Sequence, residues 1–497
     1  MTKCIAAIDQ GTSSTKVLLV DRSGNVLARG SRPVGLSHPR VGWVEQSADD
    51  LWASVLEALA DAIAACPQAE IAGIGISNQR ETVVLWDRIT GRPVAPAIIW
   101  QCRRTSDRCA ALRASGHAGT IARHTGLGID PLFPAAKIEW LLDSNPDWRA
   151  RAERGELACG TVDSWLLWNL TAGAVHATDH SNASRTQLFN LDRLEWDQEM
   201  LSLFRVPHAL LPHARPSNSR FGTVSAGIDG IPEGAPIHAM LGDSHASMAG
   251  HGFTSPGSVK VTCGTGSSMM VLTPERLHSH NGLSSTIAWT CGDSAQYALE
   301  GNISVSGQAA AFAVRLLNLK DEDELTRLAQ SVTGSDGVTF VPALAGLGAP
   351  YWQDMARGQL GGMSLGTTSG HVSRAVFEGI ALQILDVFAA MGADLGTPPA
   401  QLSIDGGAAR NNFLAQMIAD MVGGTVLRPS MTDLSALGAA RFAQLAMGWI
   451  DELPACAAAD SFAPAMADID RDTIVTQWKA AIRRVTLDLH GPDREQI

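Results

Sequence analysis

No run of Lys or Arg stands out along the chain, and with a formal net charge of −12 it carries no diffuse basic field. That excludes the charge pattern of a nucleic-acid stripe, and no nucleic-acid partner is expected. Cys-x-x-Cys pairs are absent as well: Cys4, Cys66, Cys102, Cys109, Cys159, Cys263, Cys291 and Cys456 stand apart, with no histidine pair at metal-ligand spacing. They read as reduced structural thiols. No stretch approaches about 18 uninterrupted apolar residues, so no membrane insertion is expected. An acid at Asp9 comes too early for a signal peptide, and a cytoplasmic location follows as the expectation. What is present is a chain of 497 residues, 45% hydrophobic and 18% charged, large enough for about two domains. A cleft between domains is the natural place for a ligand, and any anionic group there must be held by local amides and a few placed cations.

Apolar, β-branched runs at 5–8 and 16–20 flank Gly11-Thr12-Ser13-Ser14, and a second turn at Asp21-Arg22-Ser23-Gly24-Asn25 precedes 26–28, so the chain opens as a meander. Ser47-Ala48-Asp49-Asp50 resembles a capping box before an amphipathic helix through Trp52, Val55, Leu56, Leu59 and Ile63. A buried strand follows at 71–76, with further strands at 83–86 and 97–100; the alternation is that of an α/β fold. A second meander, 258–262 and 269–272, turns through Cys263-Gly264-Thr265-Gly266-Ser267-Ser268. The two small-residue turns lie about 250 residues apart and suggest two similar half-molecules. The boundary is expected near 245–257, giving domains 1–250 and 251–497.

Asp9-Gln10-Gly11-Thr12-Ser13-Ser14-Thr15-Lys16 sets a carboxylate at a strand end, then a tight turn, hydroxyls and a cation. Such a turn lets backbone amides and hydroxyls approach phosphate oxygens, while a carboxylate organises Mg²⁺ through water. Read alone it is equally a structural hairpin. Gly-x-x-x-x-Gly-Lys-Ser/Thr is absent, which disfavours a P-loop nucleotidase, and no Gly-x-Gly-x-x-Gly follows a strand as a nicotinamide dehydrogenase requires. Ile237 to Leu241 is a short apolar strand with Gly242-Asp243 just past its end, where open α/β sheets bind ligands. A polyol hydroxyl is too weak an acid to attack unaided, so a carboxylate there suits a general base. From the residues alone Asp243 reads as well as a helix N-cap, Arg80-Glu81 as a solvated loop, and Trp100 as core.

Taken in order, Gly42-Trp43-Val44-Glu45, Ser77-Asn78-Gln79-Arg80-Glu81-Thr82, Trp100-Gln101-Cys102-Arg103-Arg104, Asp163-Ser164-Trp165, Asn182-Ala183-Ser184-Arg185-Thr186, Gly264-Thr265-Gly266, Gly346-Leu347-Gly348-Ala349-Pro350-Tyr351-Trp352 and Asp405-Gly406-Gly407-Ala408 resemble the FGGY carbohydrate kinases, the glycerol kinase branch in particular. The resemblance runs over nearly the whole length. It implies two actin/hexokinase-like (ribonuclease H-like) α/β domains with an interdomain catalytic cleft, and transfer of a phosphoryl group from ATP, with Mg²⁺, to a small-molecule polyol or sugar. It implies Asp243 as the base, and an acceptor held by Arg80, Glu81, Trp100 and Asp243. ATP would lie against Thr12, Ser13, Ser14, Lys16, Thr265, Gly307, Gly407, Ala408 and Asn411, and Mg²⁺ near Asp9 and Asp243. A homo-oligomer is compatible with all of this. A non-catalytic sugar sensor of the same fold is the alternative from another class.

Three positions depart from the glycerol kinase pattern: Leu132 stands for a tyrosine, Ser244 for a glutamine and Ser268 for a phenylalanine. Ala311 replaces a glutamine of the adenine site. Together the first three enlarge and repolarise the acceptor pocket, and the expectation is an acceptor longer than glycerol, such as a tetritol, pentitol or ketose. Glycerol itself, giving glycerol 3-phosphate, is the runner-up.

Overall fold

The computed structural model describes residues 2–487; positions 488–497 of the expected second domain lie outside the described residues. The first sheet grows from the opening meander, β1 (Thr2–Gln10), β2 (Ser14–Asp21) and β3 (Val26–Pro33), which pair antiparallel. Helix α1 (Ala48–Ala65) crosses to β4 (Ala69–Asn78), which lies parallel to β1. Ser47 caps α1 by accepting from the Asp50 amide at 3.1 Å, and Leu51, Val55, Leu59 and Ala62 form its buried stripe. Much later come β5 (Gly222–Thr223) and β6 (Pro236–Gly242), giving the order β5-β6-β4-β1-β2-β3 with β6 parallel to β4. Helix α2 (Asp243–His251) follows β6 directly.

The second sheet repeats this plan. Strands β7 (Ser258–Cys263), β8 (Ser267–Thr273), β9 (Ser284–Cys291) and β10 (Ser294–Ile303) are joined through α3 (Gly307–Leu316) and α4 (Ser369–Leu395) to β11 (Gln401–Asp405). Helix α5 (Asn412–Val422), β12 (Val426–Pro429), α6 (Leu434–Ala446) and β13 (Ala458–Phe462) complete it, in the order β9-β10-β8-β7-β11-β12-β13. In both sheets an antiparallel meander is flanked by two parallel strands and an antiparallel edge. The near-identical turns of the sequence thus sit at equivalent corners of a duplicated fold, the two actin/hexokinase-like domains that the motifs imply.

Each sheet has its own apolar core, and a third joins them: Ile5, Leu18 and Leu241 pack with Met270, Leu437 and Phe442. Helix α6, from the later half of the chain, closes onto α2 of the earlier half at Gly438, where a Cβ would lie 1.8 Å from the Ala246 carbonyl. Helix α4 is long and apolar enough to cross a membrane, with a mean hydropathy of 1.6, yet 72% of that window is buried. Val376, Ile380, Ile384 and Met391 place it in the second core. Residues 79–221, between β4 and β5, form short helices and strand pairs around a core of their own, and carry Glu81, Trp100, Leu132 and Arg185.

Candidate active site

The first small-residue turn joins β1 to β2, with the Gly11 amide donating to the Ser14 carbonyl at 3.0 Å. Asp9 lies opposite Lys16 and beside Ser77, whose hydroxyl donates to Asp9 Oδ1 at 2.8 Å. Burial, with the charge of nearby Asp243 adding to it, pushes the Asp9 carboxyl up to about 6 despite the Ser77 bond. Thr12 Oγ1 accepts from Trp100 Nε1 at 2.8 Å, so the indole faces the turn with its polar edge. Ser13 is exposed and Ser14 half-buried. Lys16 points its ammonium at Asp433, 3.0 Å away, rather than standing open to the turn.

The second turn, between β7 and β8, is braced by the start of α3: the Ser306 and Gln308 amides donate to the Thr265 carbonyl, and that of Gly307 to the Gly264 carbonyl. A Cβ on Gly307 would stand 2.6 Å from that carbonyl, so only glycine permits this approach. The Thr265 side is exposed, and Ala408 lies next to Gly307. Gly407 and Ala408 form the corner after β11. Asn411 is part-exposed: Oδ1 accepts from the Phe413 and Leu414 amides as the N-cap of α5, and Nδ2 donates one hydrogen bond to Thr326, which leaves its second hydrogen for a ligand.

Asp243 opens α2, with Gly242 as the N-cap, which removes the capping alternative for the aspartate. Its Oδ1 accepts from Arg80 Nε at 3.0 Å and from the Ser244 amide at 2.6 Å, and its side chain remains 37% exposed to the cleft. Arg80 and Glu81 lie in the turn after β4, buried rather than solvated. Glu81 holds φ at +60°, a conformation that costs a non-glycine residue about 1–3 kcal/mol and persists where its surroundings impose it. Its surroundings do: Arg185 Nε donates to Glu81 Oε1 at 2.7 Å and Lys137 Nζ to its carbonyl at 3.0 Å. Burial lowers the Lys137 ammonium to about 7. Lys137 also binds the carbonyl of Leu132, whose side chain is half-buried. Ser244 Oγ accepts from Arg80 Nη2 at 3.2 Å and donates to Ser268 Oγ at 3.0 Å.

Sequence reasoning assigned no role to two kinds of residue here. One is the buried set Arg185, Lys137 and Glu300. Glu300 announces itself only as an acid in the apolar strand Tyr297-Ala298-Leu299-Glu300-Gly301, and its partners are invisible from spacing. The other is Asp405, which accepts from Ser247 Oγ at 2.6 Å and His251 Nε2 at 2.9 Å. These bonds and Lys260 bring its carboxyl down to about 2, against the cost of burial. The second sheet thereby fixes the helix whose first residue is Asp243.

Among the described residues no cluster of three or more His, Cys, Asp or Glu is arranged to hold a metal. Asp9 and Asp243 supply two neighbouring carboxylates, a donor set suited to Mg²⁺, which keeps several of its waters and whose charge would relieve their repulsion.

The N-terminal domain model of the FGGY family of carbohydrate kinases matches residues 4–250 and the C-terminal domain model of that family matches 259–447. The chain is 44% identical to a glycerol kinase from Koribacter versatilis (strain Ellin345) over 493 residues, covering 97% of this chain and 98% of the relative. It is also 44% identical to a glycerol kinase from Geobacter sp. (strain M21) over 486 residues, covering 96% and 98%. A crystal structure of Plasmodium falciparum glycerol kinase with ADP superimposes with a TM-score of 0.91 at 30% identity, covering 97% of this chain and 98% of that one. Matched in both halves and in the right order, the chain belongs to the FGGY family of carbohydrate kinases.

Proposed function

We propose that this kinase moves the γ-phosphoryl group of ATP onto a hydroxyl of a small polyol or sugar, with Asp243 as general base. The observation that carries the reading is the placement of Asp243. It sits at the start of a helix beyond strand β6, part-exposed in a cleft, gripped by one guanidinium nitrogen and close to the Asp9 turn. One carboxylate oxygen, Oδ2, is left to take the proton of an incoming hydroxyl. Arg80 and Glu81 would bind acceptor hydroxyls by donating and accepting respectively, with Trp100 as the apolar wall. Thr12, Ser13, Ser14 and Thr265 would contact phosphates from two facing turns, and Gly307, Gly407 and Ala408 leave room for the nucleoside. Mg²⁺ held near Asp9 and Asp243 would neutralise charge on the phosphates. The domains divide near residue 250, and the enzyme works in the cytoplasm.

The acceptor is inferred to be longer than glycerol. What supports this is that Ser244 and Ser268 put small hydroxyls, backed by Glu300, where the glycerol kinase pattern has larger side chains, and that Leu132 adds no polar group. Glycerol is the second reading, favoured by relatives 44% identical that bear the name glycerol kinase. An ADP-release assay over C3 to C6 polyols and ketoses decides it. The highest kcat/KM is expected for a C4 or longer acceptor; a maximum at glycerol overturns the longer-acceptor reading, and no acceptor-dependent ADP at all overturns the kinase assignment of the site.

A further inference from the structure

Glu300 lies on β10 of the second sheet, fully buried, and its carboxylate crosses to two arginines of the first half of the chain. Arg80 Nη1 donates to Oε2 at 2.8 Å and Nη2 stands 2.7 Å from Oε1, a two-pronged pair. Arg185 Nη1 lies 2.9 Å from Oε2, a charge contact without hydrogen-bond alignment, while its Nε holds Glu81. Ser268 Oγ donates to Oε1 at 2.9 Å. Held in this way, the Arg80 fork leaves only Nε for Asp243.

We propose that Glu300 is a positioning residue for phosphoryl transfer, orienting Arg80 and, through Arg185, Glu81, so that a carboxylate of the second domain assembles the acceptor clamp of the first. The inference rests on reading Arg80, Glu81 and Asp243 as the acceptor site. Its physical basis is competition for a buried guanidinium. Two buried arginines need compensating charge, and removing one partner of such a group leaves the others to rearrange. Without Glu300 the fork of Arg80 turns to the nearest remaining carboxylate, Asp243. A two-pronged pair there covers the oxygen that must accept the hydroxyl proton. The arginines hold the Glu300 carboxyl well below the usual carboxylate range, so its charge is present at every working pH. Because Glu300 stands on β10 while Arg80 lies in the turn after β4 and Arg185 in the segment between β4 and β5, the clamp has its working shape only while these parts of the chain are apposed.

The test is a kinetic double-mutant cycle with the best acceptor of the panel, using Glu300→Gln and Arg80→Lys alone and together. Glu300→Gln is expected to lower kcat/KM for the acceptor by about 100-fold, chiefly by raising its KM, while KM for ATP stays within about twofold. In the Arg80→Lys background the same change should cost less than about threefold, because the residue it acts through has been altered already. A loss of equal size in both backgrounds, equal effects on the two substrates, or acceptor kcat/KM within about threefold of the parent overturns the inference. If Arg80→Lys alone leaves acceptor KM unchanged, the acceptor-site reading itself fails; if it raises KM and Glu300→Gln does not, only the role of Glu300 fails. Should Glu300→Gln not accumulate as folded protein, Arg185→Lys takes its place in the cycle. It is expected to raise acceptor KM with ATP KM unchanged, and the opposite pattern overturns the inference.

Discussion

Trp100 Nε1 donates to Thr12 Oγ1 at 2.8 Å, joining the wall of the proposed acceptor pocket to the turn proposed to hold phosphate. The hydroxyl of Thr12 is thereby oriented, with its own hydrogen free for an anionic oxygen or for Gln79 Oε1, 3.5 Å away. Trp100→Phe keeps an aromatic face and deletes the donor. A single neutral hydrogen bond is worth about 0.5–1.5 kcal/mol, so KM for ATP should rise about 2- to 10-fold. Steady-state kinetics with ATP varied at saturating acceptor check this; an effect confined to the acceptor would show that the bond does not orient Thr12.

Asp243→Asn retains the size of the side chain and one oxygen for Arg80 and removes the group that takes the proton. Positioned general bases contribute about 10²- to 10⁴-fold, and a loss of kcat in that range is expected. Calorimetric titration should still detect ADP and acceptor with affinities near those of the parent. Near-normal turnover would sink the assignment.

The duplicated meander, the two small-residue turns and the strand leading to Asp243 were legible because each is local: turn chemistry and apolar runs that the chain carries in sequence order. The Arg80-Glu81 pair was legible only through its motif, since the residues alone read as a solvated loop and the structure buries both. What could not be read is whatever depends on distant segments meeting. That Lys16 pairs with Asp433, 3.0 Å away and on another part of the chain, has no signal in the sequence. Asn411 is named by the motif as a nucleotide contact, and its second role as the cap of α5 depends on where the helix begins. Glu300 meets Arg185, and Asp405 meets His251, only through the fold, and spacing carries no trace of such pairing.

Asp9 is held with its carboxyl raised to about 6 by burial and by Asp243. A carboxyl raised above its unfolded value near 3.8 favours the protonated form in the fold, so its contribution to stability is lost as pH rises through that window. Asp9→Asn should therefore melt above the parent by about 2 °C at pH 8 without nucleotide, and match it near pH 4. The same change removes a charge expected to attract Mg²⁺ and should lower kcat/KM for MgATP by at least about 10-fold. In the parent, kcat/KM for MgATP should fall as pH drops below about 6, where Asp9 becomes neutral. A variant that melts lower at pH 8 yet remains fully active would contradict both halves of this account.

Ser268 is where acceptor choice can be pushed by one residue. It is half-buried on β8, its hydroxyl accepts from Ser244 and donates to Glu300, and a hydroxyl of a longer acceptor would find it as a partner. Ser268→Phe fills that space with an aromatic ring and deletes the polar contact, acting in the same direction twice. Each lost hydrogen bond or altered apolar contact is worth about 1–3 kcal/mol of discrimination, so the ratio of kcat/KM for C4 and C5 acceptors to that for glycerol should fall by about 10- to 100-fold. The fall should come from the longer substrates, with KM for ATP unchanged because only the turn before β8, not β8 itself, is proposed to contact phosphate. Measured on the same acceptor panel, an unchanged ratio would mean that Ser268 does not face the acceptor, and would return the pocket to one that neighbouring side chains have filled.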